Sequence, residues 1–469
     1  MLAFRQRDVA SRYNAHEDTS LDNNFTSRNI MPDIAPFTPL RYNPSLLADV
    51  GSVIAPPYDV ISQARRQELL DSDPYNVIQL ILPQGDDDTR YDRAAVTFSR
   101  WVQEELLMFE PGPAIYPYAQ EFIHPGDGTR RERHGFVCVM RLGHLDEGTI
   151  LPHERTLSGP KADRLKLMLA TDANLEPIFG MYADPTGESA QRLRAYTSEF
   201  QPIVDVADPD GVRHIVWRMQ DLDLIAAFVA DLKATPVVIV DGHHRYETAL
   251  TYRDMMGGTG SSPTPKDFAA DWIMIFLAPT SDPGLMILPT HRVVHGVPSF
   301  NLDALLPQLR EWFTVSHFDD RLEALEALDR IAPDIALLLI RRERSFLLQL
   351  RNDIDREKIL EPETPDVLAR LDVTILHALV FERLLGMSKS AQEEQRNLGY
   401  VKGTDDAFAA ADREDVDMVM MMNPPRLDQV VDVAASGRTM PQKSTYFYPK
   451  LASGLLFNSL HDPGATRRE

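Results

Sequence analysis

Apolar and polar positions along the chain predict a mixture of strands and helices. Residues 237–240 are four consecutive β-branched residues and predict a short buried strand. Asp241 and Gly242 interrupt that strand, and helix-compatible spacing resumes from Tyr246 to Tyr252. A strand that turns sharply into a helix directs unpaired N–H groups and the positive end of the helix dipole beyond the sheet. The turn at 241–245 is therefore the first candidate for a binding site.

Other stretches complete an α/β pattern. Residues 114–122 and 133–142 alternate as a β-hairpin, and residues 91–108 show the spacing of an amphipathic helix. Residues 76–82 predict a buried strand, and residues 365–385 predict one long helix. We therefore predict the α/β (α+β) class, with a mixed sheet core and a C-terminal α/β region.

The domain organisation follows from length and local composition. A chain of 469 residues can form two or three domains with their own cores. Residues 1–30 are low in apolar content and predict a disordered tail, with Met31 as a candidate natural start. Residues 31–299 are predicted to form a catalytic α/β core, and residues 300–469 a C-terminal α/β region. Its closing segment, 440–450, is polar and aromatic and is predicted to return to the site.

The net charge narrows the range of partners. It is −22, from 48 basic and 70 acidic residues, and no basic run exceeds two arginines. Such a surface disfavours nucleic acid and anionic membranes. We expect no nucleic-acid or membrane partner.

Cysteine content and hydropathy exclude further classes. Cys138 is the one cysteine, so disulfides within the chain and cysteine-based zinc or iron–sulfur sites are excluded. No apolar run is long enough to span a bilayer, and the first residues lack the apolar core of a signal peptide. A cytoplasmic location is expected.

The turn at 241–245 combines residues suited to phosphates, metals and proton transfer. Arg245 could hold a phosphate with two hydrogen bonds, and the N–H groups near Gly242 could surround another oxygen. His243 and His244 would point to different sides, so they are not expected to ligate one metal. The structural alternative is an aspartate helix cap followed by surface histidines. The standard phosphate-loop, dinucleotide and zinc-protease motifs are absent from the sequence.

Residues 151–165 form a second stretch that is dense in ionisable groups. Glu154 is a candidate general base, although neighbouring basic groups would lower its pKa if they faced it. Its structural alternative is a salt-bridged carboxylate. Lys161, Asp163 and Arg164 could bind phosphate and magnesium, or could cap a helix.

The closing segment supplies positive charge in an acidic chain, through Lys443 and Lys450. An anion-binding role is reasonable for these lysines. Arg292, after Pro289-Thr290-His291, carries a weaker signal.

Five motifs together resemble a known family. The sequence at 55–62, 151–156, 159–164, 241–249 and 440–450 is similar to the bacterial and archaeal domain of unknown function 1015 family, over roughly residues 31–457. That resemblance implies no activity.

The turn Asp241-Gly242-His243-His244-Arg245 also resembles that of free-serine kinases in the ParB/sulfiredoxin-like superfamily. This remoter resemblance implies a nucleotide-binding element. It implies that Asp241 and His244 handle the hydroxyl substrate or metal and that Arg245 handles the phosphates. An upstream glutamate would be the base, for which Glu154 is the candidate, although its surrounding motif does not match the kinases.

We therefore expect a small-molecule kinase that transfers a phosphoryl group from ADP or ATP to a hydroxylated metabolite such as L-serine, with Mg²⁺ as cofactor. The expected site comprises, for catalysis, Glu154, Asp241 and His244; for the nucleotide, Gly242, His243, Arg245, Lys161, Arg164 and Lys443; for the substrate, Tyr58, Asp59, His153, Arg155 and Tyr246; and for the metal, Asp241.

Two alternatives remain open at this point. One is a metal-dependent hydrolase or phosphatase that uses His153, Glu154, Asp241 and His243 as ligands. The other is a protein that binds a nucleotide or metabolite without turnover. The expected partners are a nucleotide and a small polar metabolite, and a homo-oligomer is one option.

Overall fold

The computed structural model describes residues 32–85, 87–154, 158–233 and 235–460. The strands are, in chain order, β1 (Ile34–Ala35), β2 (Leu40–Tyr42), β3 (Leu107–Phe109), β4 (Tyr116–Ile123), β5 (Arg130–Arg141), β6 (Ile150–Pro152), β7 (Ala173–Asn174), β8 (Ile178–Tyr182), β9 (Val204–Ala207), β10 (Arg213–Val216), β11 (Val237–Asp241), β12 (Trp272–Pro279), β13 (Met286–Leu288), β14 (His291–His295), β15 (Phe313–Phe318), β16 (Ala336–Arg341), β17 (Arg344–Leu350), β18 (Leu398–Val401), β19 (Val416–Met422), β20 (Tyr446–Tyr448) and β21 (Asn458–Ser459).

The helices alternate with these strands. They are α1 (Gln63–Ser72), α2 (Ile78–Ile81), α3 (Thr89–Gln103), α4 (Ser158–Thr171), α5 (Glu188–Glu199), α6 (Leu222–Leu232), α7 (His243–Met255), α8 (Leu302–Arg310), α9 (Arg321–Ile331), α10 (Asp366–Ala369), α11 (Asp372–Ile375), α12 (Lys389–Glu393), α13 (Thr404–Asp412) and α14 (Leu427–Ala435). The mixed α/β class is confirmed.

Two sheets dominate the architecture. The larger is mixed and runs β6-β11-β8-β12-β5-β4-β10-β9, with β1 added beside β5. The second is antiparallel and runs β15-β17-β16-β19-β14-β18. The predicted boundary at residue 300 therefore falls between β14 and the later strands of its sheet.

A shared apolar core joins the two sheets, and helices cover the outer face of the larger one. Phe276 of β12 and Leu339 of β16 belong to the same buried cluster. Within β11, Val238 and Val240 face this cluster, whereas Val237 and Ile239 pack in a second cluster with α6 and α7. Burial on both faces explains why β11 is apolar at every position before Asp241.

The strand predicted at 76–82 is wrong, because α2 occupies Ile78–Ile81. The Asn76 side chain accepts a hydrogen bond from the Ile78 N–H and donates to the carbonyls of Ser52 and Ile54. The asparagine thus starts a helical turn that is buried all round, a case in which apolar periodicity does not separate a helix from a strand.

The single long helix predicted at 365–385 is also wrong. Leu371 is extended, with φ −95° and ψ 132°, and separates α10 from α11. Residues Leu376–Leu384 then continue as a π-helix. The predicted helix at 91–108 ends earlier, at Gln103, and Glu105 has a positive φ of 58°. The predicted hairpin of residues 114–142 is confirmed as β4 and β5.

Within the described ranges, none of the helices combines the length and the apolar character needed to cross a bilayer.

Candidate functional site

The site is built on the turn between β11 and α7. Gly242 occupies the cap position of α7 with a φ of 88°, in the left-handed region. A Cβ atom at this position would lie 2.5 Å from Cγ2 of Ile178. Glycine is therefore required by both conformation and space. It provides no side chain to cap the first N–H groups of α7, which leaves the helix start suited to an anion.

Parallel pairing brings the second predicted stretch to the same sheet edge. Pro152 of β6 is paired with Ile239 of β11. Both strands end there, so His153 and Glu154 follow β6 just as Asp241 ends β11. Carboxyl ends of neighbouring parallel strands form the usual ligand crevice of an α/β sheet.

The closing segment lies over this edge. β20 pairs with β13, with Tyr446 opposite Leu288. The Met440 N–H donates to the carbonyl of His153 at 2.8 Å, and the Thr445 N–H donates to Glu154 Oε1 at 2.9 Å. Residues almost 300 positions apart in the chain thus form one group of side chains.

Asp241 lies between two cations. Its Oδ2 accepts from Arg245 Nη2 at 2.8 Å, and its Oδ1 accepts from Lys450 Nζ. Burial opposes the charged form of Asp241, but Lys450 and Arg245 outweigh it and hold the pKa of the carboxyl below its usual value. The second Arg245 terminal nitrogen donates to the carbonyl of Pro177 at 2.6 Å. Arg245 thus positions Asp241 and the strand end as well as supplying charge.

One further cation, Lys402, extends this group. Lys402, just after β18, and Lys450 both lie over the Tyr446 ring, with Nζ atoms 3.9 and 4.9 Å from its centroid. Burial, with the charge of Lys450 in the same direction, lowers the pKa of Lys402 to about 8. Lys402 was not predicted as a site residue, because only the pairing of β18 with β14 brings it here.

The rim carries Asp59, His244 and Lys443. Asp59 is exposed, and its charge acts on Lys402, Arg245 and His244. Burial lowers the pKa of His244, opposed by Glu247 and aided by Lys443. Lys443 has a φ of 56°, an uncommon conformation for a non-glycine residue. The turn is thus bordered by both carboxylates and cations.

Glu154, Thr445 and His153 form a hydrogen-bonded chain. The Thr445 hydroxyl lies 2.8 Å from Glu154 Oε1 and 2.7 Å from His153 Nε2. His153 Nδ1 lies 2.7 Å from the carbonyl of Ile239, so Nδ1 carries a proton. Thr445 was not predicted as a site residue, because no sequence signal connects it to residues 153 and 154.

This chain accommodates one exchangeable proton. If His153 Nε2 is protonated, it donates to Thr445, which donates to the Glu154 carboxylate. If Glu154 is protonated instead, it donates to Thr445, which donates to His153. If the chain held one proton fewer, the Thr445 hydroxyl could donate to only one of its two neighbours. Its other contact would then place two hydrogen-bond acceptors against each other. Once the chain has lost this proton, Glu154 can take up a new one that Thr445 passes to His153, although burial lowers the pKa of His153 against the opposing charge of Glu154.

His243 packs against His153. Its ring centroid is 4.8 Å from that of His153, and its Nε2 accepts from the His153 N–H at 3.4 Å. Burial lowers the pKa of His243, and proximity to His153 adds to the effect. His243 is therefore a neutral support for His153, and His244 is the histidine that faces the rim.

The other predicted stretch lies in a separate network. Asp163 accepts from Arg90 and Tyr91, each at 2.6 Å. Arg164 donates to Asp163 at 2.9 Å and to the carbonyl of Ile81 at 2.8 Å, and its guanidinium carbon is 4.1 Å from the Tyr58 ring centroid. These contacts make Arg164 and Tyr58 parts of the scaffold beneath the turn.

Three remaining predicted residues differ in their placement. Lys161 forms an ion pair with Glu247 at 2.7 Å, beside the first turns of α7. Tyr246 is buried, and its hydroxyl donates to the carbonyl of Gly143 at 2.6 Å, an arrangement typical of a core residue. Arg155 lies outside the described residues.

The carboxylates and histidines do not assemble a metal site from protein ligands alone. In the part of the chain that the structure describes, no group of three or more His, Cys, Asp or Glu residues could hold a metal ion. Both ring nitrogens of His153 are occupied by protein partners. These residues therefore do not fit the four-ligand metal centre of the hydrolase alternative.

Comparison with known proteins identifies a family. The model of a family described as a protein of unknown function (DUF1015) matches residues 34–374. No curated protein matches the chain.

Solved structures with similarity include a free serine kinase in complex with AMP, at 15% identity and a TM-score of 0.32, covering 64% of this chain and 84% of that chain. A conserved hypothetical protein from Pyrococcus furiosus matches at 14% identity and a TM-score of 0.32, covering 66% and 93% of the two chains. SbnI from Staphylococcus aureus, with a C-terminal truncation, matches at 11% identity and a TM-score of 0.32, covering 67% and 85%.

Proposed function

This chain belongs to the DUF1015 family, and we propose that it is a kinase that transfers a phosphoryl group from a nucleotide to a small hydroxylated metabolite. ADP or ATP would be the donor, and L-serine is the first acceptor to test. The observation that carries the proposal is the group of cations at the β11–α7 turn, beside Glu154, in a chain of net charge −22. Such a concentration of positive charges in an otherwise acidic protein suits a phosphate ligand.

The phosphates would bind to the start of α7 and to the surrounding lysines. Gly242 allows a close approach to the backbone N–H groups, and Lys402, Lys443 and Lys450 would neutralise the phosphate charge. Arg245 would hold Asp241 in place. Magnesium arriving with the nucleotide would be held by phosphate oxygens together with the exposed carboxylate of Asp59 and would neutralise charge on the phosphates, since both oxygens of Asp241 are taken by Arg245 and Lys450.

Glu154 would accept the proton of the acceptor hydroxyl. As the new oxygen–phosphorus bond forms, the bond to the departing phosphate of the nucleotide breaks. The proton moves from the acceptor oxygen to Glu154, then by exchange through Thr445 to His153 Nε2. Glu154 returns to its carboxylate form by this route, since the chain of hydrogen bonds holds one proton.

The variant Lys402→Met tests the phosphate site. Lys402 contacts the Tyr446 ring and is mostly buried, so methionine can replace its stem with little loss of stability. We expect the affinity for ADP, ATP and AMP, measured calorimetrically with and without Mg²⁺, to fall on the order of 10- to 100-fold.

The exposed Lys266 provides the control, because Lys266→Met removes the same charge in the loop that follows the C-terminal end of α7, whereas the site lies at the start of that helix. Its nucleotide affinity should equal that of the wild type. Unchanged affinity in Lys402→Met would contradict the proposed phosphate site. Nucleotide binding without phosphorylation of L-serine or any other tested hydroxyl compound, followed by ³¹P NMR, would favour the binding-only alternative.

A further inference from the structure

Arg292 has an unusual set of contacts for a buried arginine. It lies in β14 and is 0% exposed. Its Nη1 donates to the carbonyl of Thr290, and its guanidinium carbon is 5.3 Å from the Tyr400 ring centroid. Its Nε and Nη2 have no hydrogen-bond partner among the described residues.

Four other arginines, one buried and three partly exposed, also have an Nε without a hydrogen-bond partner, although the Nε of Arg218 lies 3.2 Å from Glu110. They use Nη2 for protein contacts: Arg133 with Gln120, Arg141 with Asp33, Arg218 with Gly112, and Arg245 with Asp241. In the part of the chain that the structure describes, Arg292 alone has both atoms buried and without a hydrogen-bond partner.

The Nε–H and Nη2–H groups of an arginine lie on one edge of the guanidinium and point in parallel. This edge matches the two oxygens of a carboxylate and forms two charge-assisted hydrogen bonds with it. Burial lowers the pKa of Arg292 only to about 10, so the side chain is charged at neutral pH. A buried charge whose donors are unmet is costly, and a bound anion would remove that cost.

The position of Arg292 connects this edge to the site. Arg292 is paired with Tyr400 across β14 and β18, and Lys402 follows Tyr400 by two residues. The charge of Glu154 acts on both Arg292 and Tyr400. Glu154 Oε1 itself is engaged by the N–H and hydroxyl of Thr445. Arg292 therefore lies on the side of the site that holds the proposed base.

We propose that Arg292 binds the carboxylate of the acceptor, so that the acceptor is a small hydroxylated acid, such as an amino acid or a hydroxy acid, and not a polyol or sugar. This inference rests on the proposed function for the role of Glu154. The nucleotide phosphates are assigned to the turn because Lys443 and Lys450 lie there. Arg292, in contrast, lies on β14, which is paired with β18 on one side and β19 on the other.

Binding measurements without turnover test the acceptor class. Wild-type protein and Arg292→Gln would be titrated calorimetrically with two matched pairs, L-serine against L-serinamide and glycerate against glycerol, each with and without saturating AMP. We expect each acid to bind wild-type protein on the order of 100-fold more tightly than its counterpart without a carboxylate. Arg292→Gln should lose this preference and retain the wild-type affinity for AMP.

Arg253→Gln is the matched control. Arg253 is also buried, but it donates to Asp254, to the carbonyl of Leu142 and towards His144. It should keep the preference for acids, provided that its thermal unfolding shows a folded protein. Arg292→Lys should give an intermediate preference, because lysine retains the charge without the paired donors.

The inference is overturned if the probes without a carboxylate bind as tightly as the acids, if none of the four probes binds, or if Arg292→Gln keeps the preference. Loss of inorganic phosphate or AMP binding in Arg292→Gln, with the acid preference intact, would also overturn it, since Arg292 would then be a phosphate ligand. Binding of the acids through Arg292 by a protein that binds no AMP would support this inference and refute the proposed nucleotide site.

Discussion

The turn at Asp241–Arg245 and the helix segment Lys161–Arg164 contain similar residues but differ in how their polar groups are used. In the second region, Asp163 and Arg164 bond to each other and to Arg90, Tyr91 and the Ile81 carbonyl. At the turn, the helix start has no side-chain cap, and cations from three distant segments converge. Asp241 and Arg245 also bond to each other, so the two regions differ in the uncapped helix start and the added cations and not in the pairing of their own charges.

The largest expected effect is on the scaffold. Arg164→Gln removes one partner of a buried network and leaves the Asp163 carboxylate partly uncompensated. We expect the free energy of unfolding to fall by about 3–5 kcal/mol, measured by urea denaturation. The nucleotide affinity of the protein that remains folded should stay close to the wild-type value. A variant that is fully stable but unable to bind nucleotide would reverse the assignment of the two regions.

A smaller effect is expected at the turn itself. Gly242→Ala introduces a Cβ both at a φ of 88° and 2.5 Å from Ile178. We expect a loss of roughly 2 kcal/mol in unfolding free energy together with weaker nucleotide binding.

Gly437→Ala serves as the control for Gly242→Ala. Gly437 has a similar φ of 68°, and a Cβ atom added there would have no neighbouring atom within 4 Å. It should show only the conformational cost of about 1 kcal/mol and bind nucleotide normally. Equal effects in the two variants would mean that close packing at the turn is unimportant.

The smallest effect is expected at His377 of the π-helix, whose buried Nε2 has no hydrogen-bond partner among the described residues. Burial, with Arg292 acting in the same direction, lowers the pKa of His377 to about 3. The unfolded chain, with a histidine pKa of about 6.5, takes up the proton first as the pH falls. The contribution of neutral His377 to the free energy of unfolding is therefore fully present above about pH 6.5 and is lost progressively as the pH falls towards 3.

His377→Gln should reduce this acid sensitivity. Between pH 6.5 and 5.5 its unfolding free energy should fall by roughly 1 kcal/mol less than that of the wild type, measured by urea denaturation at each pH. His317→Gln alters a half-exposed histidine and should leave the wild-type pH dependence unchanged. Part of the sensitivity should persist in His377→Gln, because burial also lowers the pKa of His291, to about 4.

Predictions succeeded where the sequence signals are local. The β11–α7 turn was predictable because its signals are local: a run of β-branched residues, then glycine at a position that requires a positive φ. The strand predicted at 76–82 failed because a hydrogen bond from Ile78 to Asn76 turned a short apolar run into a helix. Short buried segments lack the periodicity that would separate the two cases.

The sequence by itself determined the α/β class, the family motifs, the acidic charge and the turn that heads α7. Only the tertiary structure decided that Thr445 lies between Glu154 and His153, that Lys402 and Lys450 lie over Tyr446, and that Arg164 belongs to the scaffold. The physical reason is that the conformation of a turn depends on neighbouring residues, whereas the availability of a polar group depends on whether distant segments satisfy its hydrogen bonds.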